Sequence, residues 1–419
     1  MAVTETREIH TPNWLERMGS SFKGILTGLV LIAASALLLF WNEGRAVKTA
    51  RRLSEGAGAV VSVPSDKVDS ANEGKLVHVS GRAETKDVLT DPQFGLSVTA
   101  LKLKRQVEIF QWVEHTETRQ VKKGDKTYEE TTYTYKQEWC SKPVDSSGFK
   151  EAGHGNPPTV MPFTDQELLA PNVTLGAFKL SEANVKRIGG SKAYDYPQDF
   201  KLPEALKRAK LVNGVIYVPA LKAAATAPTA SSSGGSPLLA AAQAAASNAV
   251  ETVVRDASVS PAVGDLRVTV RVTEPHDISL CQKQVGDTFM PWPASDGKTI
   301  ALQQDGLADA AAMFADAQTA NTRLTWILRL VGFVLMFAGF KGVFGPISTL
   351  VDVIPILNQI VSAGVGLVSF LLALGGSLLT AGLAWIVYRP VLGIALVGLA
   401  VGCVVLVFLK KKGKVDPVK

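Results

Sequence analysis

The apolar residues of this chain fall into two blocks with a long polar stretch between them. One uncharged run covers residues 24–42, and two more cover 353–388 and 390–409. An apolar helix of about 20 residues crosses the hydrocarbon core of a bilayer. The spacing therefore predicts an integral membrane protein with one large extramembrane domain pinned by helices at both ends. The predicted fold class is α+β: four transmembrane helices, one N-terminal and three C-terminal, with a large β-rich domain between helices one and two. The expected boundaries are a cytoplasmic segment at 1–23, helix one at 24–42, the domain at 43–323, and helix two at 324–345. An interfacial segment at 346–365, helix three at 366–388, helix four at 390–409 and a basic tail at 410–419 complete the chain. The interfacial segment is expected because the run 353–388, as one helix, would measure about 54 Å against a core of about 30 Å.

Charge sets the predicted orientation. The net charge is +6, and Lys410, Lys411, Lys412, Lys414 and Lys419 gather at the C-terminus. A basic cluster after a membrane helix reads as a cytoplasmic end facing anionic lipid. It does not read as a nucleic-acid site, because its basic residues are not interleaved with aromatics on a folded surface. Four spans then place the N-terminus in the cytoplasm and the domain on the far side. Arg45, Lys48, Arg51 and Arg52 argue the other way, but long translocated domains weaken that rule. Residues 24–42 run into Phe40-Trp41-Asn42-Glu43 without a small-residue cleavage site, so they read as a retained anchor.

Within the domain, period-two alternation marks strands. Leu101, Leu103, Val107, Ile109 and Val113 share one face of a long strand; Lys102, Lys104, Gln106 and Glu108 share the other. Residues 127–139 repeat the pattern, and Gly124-Asp125 between them predicts an antiparallel hairpin. Leu266, Val268, Val270 and Val272 alternate again. Residues 75–81 read as a strand, and short helices are expected within 164–210. A helix is predicted from Asp305 through Leu307, Ala311, Phe314 and Leu324 into helix two. Residues 222–256 form an Ala/Ser/Gly insertion of linker composition.

Candidate chemistry is sparse. The five histidines make no HxH or HxxxH spacing, and no CxxC, P-loop or nucleophile elbow occurs. No cofactor, metal site or enzymatic activity is expected. Cys140 and Cys281 are either a disulfide or two separate thiols; Cys403 lies in an apolar run. Arg329, Lys341 and Asp352 border the membrane segments and can snorkel. Ala373, Ser377 and Ala381 recur every four residues, and Gly398-Leu-Ala-Val-Gly402 is a GxxxG. Such stripes serve close helix packing, within one chain or between copies.

Several motifs carry a resemblance. Asn42-Glu43-Gly44-Arg45-Ala46 follows helix one, and Asn72-Glu73-Gly74-Lys75 opens the first strand. Asp91-Pro92-Gln93-Phe94-Gly95 precedes the long strand, which continues through Gln111-Trp112-Val113-Glu114. His154-Gly155-Asn156-Pro157, Val263-Gly264-Asp265-Leu266 and Tyr388-Arg389-Pro390 come later. In this order and spacing they resemble the LUMA family, the transmembrane-protein-43-like proteins, over nearly the whole chain. The resemblance implies one-plus-three membrane helices and a domain in the endoplasmic-reticulum lumen or its equivalent. Eukaryotic members are associated with the endoplasmic reticulum and inner nuclear membrane, self-associate, and bind nuclear-envelope proteins. The insertion departs from animal members and suggests a bacterial one, with an inner-membrane location and a periplasmic domain. In that case only architecture, topology and self-association carry over.

Gly44, Gly74 and Gly95 are expected to supply positive φ or close packing, or the Asn-Glu-Gly segments dock the domain onto the membrane helices by hydrogen bonds. The expected function is a multi-pass scaffold that self-associates and presents its domain to a membrane or extracytoplasmic protein partner. Its other partner is the lipid bilayer, and no nucleic acid is involved. The alternative is a small-solute or lipid transporter or channel built from the C-terminal helices.

Overall fold

The computed structural model describes residues 4–10, 14–123, 126–157, 161–220, 260–350, 355–391, 393 and 395. Three long helices dominate: α1 (Trp14–Ala59), α3 (Ala310–Leu350) and α4 (Pro355–Tyr388), with the short α2 (Glu182–Arg187) inside the domain. Each long helix holds a stretch apolar enough to cross a membrane, within Lys23–Ala59, Ala310–Gly345 and Gly364–Tyr388. Their outward side chains, such as Leu26, Leu37, Leu330 and Leu378, are exposed in the isolated chain. Lipid is the solvent that removes this cost. The protein is thus an integral membrane protein with at least three apolar helices. Helix four, with Gly398 and Gly402, and the basic tail lie outside the described residues apart from its first positions.

α1 is far longer than its apolar run. Its 46 residues measure about 69 Å, more than twice a bilayer core of about 30 Å. Charge ends the hydropathy signal at Glu43, but Ala46-Val-Lys-Thr-Ala-Arg-Arg-Leu keeps good helix formers beyond it. α1 therefore leaves the membrane as a stalk beside the first turns of α3. α3 begins at Ala310 rather than near Asp305. Residues Leu302–Asp305 form a strand, and the Asp309 carboxylate accepts a hydrogen bond from Ala312 N at 2.6 Å, capping the helix. Leu307 is exposed in the connection. α4 runs unbroken from Pro355, a residue suited to a first helical turn. Of the expected interfacial segment at 346–365, residues 346–350 fall on the end of α3 and 355–365 on the opening turns of α4, and 351–354 lie outside the described residues.

The domain has two sheets. One is ordered Thr4–His10, Lys126–Cys140, Lys102–Lys123, Leu266–Thr273, Val215–Val218, Lys210–Val212. The other closes on itself. Leu76–Thr85 pairs His276–Val285, which pairs Thr288–Met290; that strand meets Phe178–Leu180 through Lys179 and Thr288, and Val173–Leu175 returns to Leu76–Thr85. Closure removes free edges from the circuit. Val77, Leu103, Val107, Ile216, Val268 and Leu280 are among the residues of a common core between the sheets. A second core of Leu53, Leu76, Cys281, Ile300, Met313 and Phe314 seats the domain on the stalk.

Thr4–His10 pairs with the outer edge of Lys126–Cys140 from Thr4–Tyr135 to His10–Glu129. The pairing is backed by Thr6 Oγ1 donating to Glu151 at 2.6 Å and by Lys150 Nζ 2.7 Å from Glu8. Helix α1, about 69 Å long, has its other end in the domain. With a bilayer around residues 24–42, the N-terminal segment and the domain are expected on opposite faces, and this pairing is then expected to be lost.

Candidate membrane–domain hub

The residues that follow the first apolar run form one buried polar cluster with α3 and α4. Asn42 and Glu43 are almost fully buried. Glu43 takes Arg329 of α3 in a two-pronged pair, Nε to Oε1 at 2.6 Å and Nη2 to Oε2 at 2.9 Å. Its Oε2 also accepts the Trp385 indole N–H of α4 at 2.8 Å. The Arg329 guanidinium stacks 4.7 Å from the Trp326 ring. Such a fork fixes orientation as well as charge.

One turn on, Arg45 donates to Asn321 Oδ1 at 3.0 Å, Thr325 Oγ1 at 2.9 Å and Asn42 Oδ1 at 3.2 Å. Asn42 donates to the Thr325 carbonyl at 3.1 Å, and Asn321 returns a bond to the Ala46 carbonyl at 3.0 Å. Gln318 reaches the Ala50 carbonyl at 3.0 Å. The α1–α3 contact is therefore hydrogen-bonded for more than two turns above the membrane. Gly44 makes the third contact. A Cβ there would lie 2.5 Å from Tyr388 Cζ, so the missing side chain gives the Tyr388 ring its seat against α1.

Below the hub, α1 and α3 pack through glycine. A Cβ on Gly28 would meet the Gly339 carbonyl at 2.5 Å, and one on Gly339 the Gly28 carbonyl at 2.8 Å. Ser35 bonds the Gly332 carbonyl at 2.6 Å. Close backbone approach is what small residues provide in lipid. Ala373 is buried beside Leu39 and Met336, and Ser377 Oγ lies 3.5 Å from Met336 Sδ. Ala381 is half-buried. Arg389 is exposed at the end of α4, and Pro390 opens the turn after it.

Above the hub, Arg52 pairs with Asp296 at 3.1 Å and Glu55 accepts bonds from Ser295. Of the four cations that argued for a reversed orientation, Arg45, Arg51 and Arg52 all hydrogen-bond within the protein.

The other motif residues hold the domain together. Asp91 and Arg105 form a buried ion pair, each under 5% exposed. Arg105 also donates to the Thr164 carbonyl at 3.2 Å and lies 4.8 Å from the Phe94 ring. Pro92 starts the turn, and Gly95 ends it at φ +67°, a conformation costly for other residues. Gly74 also has positive φ; its N–H bonds the Gln284 carbonyl at 2.9 Å, while Glu73 accepts from Gly286 N at 2.8 Å. Asn72 ends a short 3-10 turn. The Trp112 backbone is bracketed by Asn156, and its ring meets His154 edge-on at 4.6 Å. These motifs pin loops to strands and do not converge on one cleft.

Asp265, after Gly264, ties both ends of the insertion. Its carboxylate accepts Ala220 N at 2.9 Å and Ala262 N at 2.8 Å. Deleting 224–247 is therefore expected to leave the melting temperature nearly unchanged, since closure entropy varies slowly with loop length. Loss of folded protein on size-exclusion chromatography would show that the deleted residues pack.

Cys140 and Cys281 are both free thiols. Cys281 is buried against Met313, and burial pushes its thiol up to about 12. His78 is buried, contacting Ser62 Oγ at 3.2 Å and the Ala308 carbonyl at 2.8 Å. Among the described residues no group of three His, Cys, Asp or Glu side chains is placed to hold a metal.

The family model described as Transmembrane protein 43 matches residues 109–390. The chain belongs to the transmembrane protein 43 family. It is 31% identical to human Transmembrane protein 43 over 95% of this chain and 94% of that protein. Mouse Transmembrane protein 43 is 33% identical over 92% and 90% of the two chains. The Drosophila melanogaster homolog is 29% identical over 91% and 93%. These relatives are animal proteins, so the bacterial, periplasmic reading drawn from the insertion finds no support in them. No solved structure matches.

Proposed function

We propose that this family member is a membrane scaffold, with no catalytic step, that self-associates and holds its β-rich domain at a fixed attitude on the non-cytoplasmic side. The supporting observation is the hub: Glu43, Arg45, Arg329 and Trp385 lock three helices at the level where the stalk leaves the membrane. A protein that only anchored a domain would need no buried ion pair there. A stalk of two hydrogen-bonded helices transmits the orientation of the membrane helices to the domain. Ala373 and Ser377 are occupied within the chain; Gly398 and Gly402, which lie outside the described residues, are the face proposed for a second copy.

Light scattering of the full chain in nanodiscs tests self-association. A mass above one copy is expected, falling to one copy in Gly398→Leu/Gly402→Leu. A single copy at every concentration overturns the reading. A lumen-active reporter inserted at residue 235 and a cytoplasm-active one after Lys419 should both work. In the same membranes a cysteine pair at positions 8 and 131 should stay unlinked; a disulfide there would place the N-terminal segment beside the domain.

A further inference from the structure

We infer that Lys48, Arg51 and Arg389 form a cradle for the phosphate of an anionic phospholipid in the leaflet on the domain side. Two of the cations meet Tyr388, the last residue of α4, and the third follows it in the chain. Lys48 Nζ stands 6.0 Å from the Tyr388 ring, Arg51 donates to the Tyr388 carbonyl at 3.3 Å, and Arg389 follows directly in the chain. All three are exposed. Among the described residues none of them is in a salt bridge with a carboxylate. Of the nearby acids among the described residues, Glu43 is occupied by Arg329 and Trp385, and Glu55, one turn beyond Arg51, accepts bonds from Ser295. The carbonyl end of α4 offsets part of the positive charge and leaves most of it.

Height identifies the ligand. Trp41 and Trp326 are 57% and 63% exposed, and Trp385 and Tyr388 lie at the same level of the bundle through their contacts with Glu43 and Gly44. Aromatic rings of this kind settle at the headgroup layer. Cations placed there face lipid phosphates, and they lie on the face of α1 turned away from the α3 seam of Asn42, Ala46 and Ala50. Each basic residue at an anionic surface strengthens attachment by about fivefold.

The test is a thermal-shift titration of the purified full chain in a mild zwitterionic detergent. Dioctanoyl phosphatidylglycerol, dioctanoyl phosphatidylcholine and inorganic phosphate are the three probes. Phosphatidylglycerol is expected to raise the melting temperature, and the other two to leave it in place. The variant Lys48→Gln/Arg51→Gln/Arg389→Gln should need about 100-fold more phosphatidylglycerol for the same shift. A second variant with Lys410, Lys411, Lys412 and Lys414 changed to Gln should respond like the parent. Equal shifts from phosphatidylcholine or from phosphate, or loss of the response only in the tail variant, overturn the proposal. Should the triple variant be misfolded by circular dichroism, the single Lys48→Gln decides, since that side chain makes no hydrogen bond within the described residues. Its titration must move to higher lipid concentration for the cradle to stand.

Discussion

Replacing Glu43 with alanine is expected to lower the stability of the helix bundle by about 3–5 kcal/mol. The Glu43 side chain is 1% exposed and its partner Arg329 only 24%, so little water reaches either group. Without the carboxylate, the guanidinium faces a void at the membrane boundary and the Trp385 N–H loses its acceptor. Thermal unfolding in a mild detergent measures the effect. The double variant Glu43→Met/Arg329→Met should recover most of the loss, because it removes the orphaned charge along with its partner. Recovery would assign the cost to the unpaired charge rather than to lost packing. A Glu43→Ala protein as stable as the parent would mean that solvent reaches this site, and the hub would have no structural role.

What the sequence made legible tracks the range of the forces involved. Period-two alternation is local, so the strands containing Leu103, Val107, Val268 and Val272 were readable, as was the long hairpin. Arg105 was overlooked although it sits at the period-two position between Leu103 and Val107. A charge on an apolar stripe is itself a signal of a buried partner, and Asp91 lies only fourteen residues earlier. The extent of α1 was underestimated because hydropathy stops where lipid stops, whereas helix propensity continues through Leu53. The early start expected for α3 neglects Gly306, which breaks a helix at φ +87°; that glycine and the cap at Asp309 are the available cues. The hub was half legible. Asn42-Glu43-Gly44-Arg45 stood out as a motif with a docking role among its alternatives. Its partners Asn321, Thr325, Arg329 and Trp385 are some 280 to 340 residues away. No local pattern encodes which distant side chain answers a buried carboxylate.

Asp91→Ala is expected to cost the β domain a similar amount, about 3–5 kcal/mol, and, through the stalk, to loosen the membrane bundle to a smaller degree. Asp91 and Arg105 are both almost fully buried, and the guanidinium would keep only the Thr164 carbonyl and the Phe94 ring as partners. Gln93 N would also lose its acceptor in the turn, where Asp91 Oδ1 stands 3.2 Å away. Limited proteolysis should then cut within the domain while the helices stay inserted and the chain still extracts as a membrane protein. Glu43→Ala should show the reverse order: the helices loosen most, and the domain loses protease resistance to a smaller degree. The two variants together test whether the stalk couples the modules. If it does, each should lower the unfolding temperature reported by the other module's own probe, near-ultraviolet dichroism for the domain and detergent-induced unfolding for the bundle. Fully independent responses would leave the domain as a tethered unit, and the scaffold reading would lose the rigid link on which it depends.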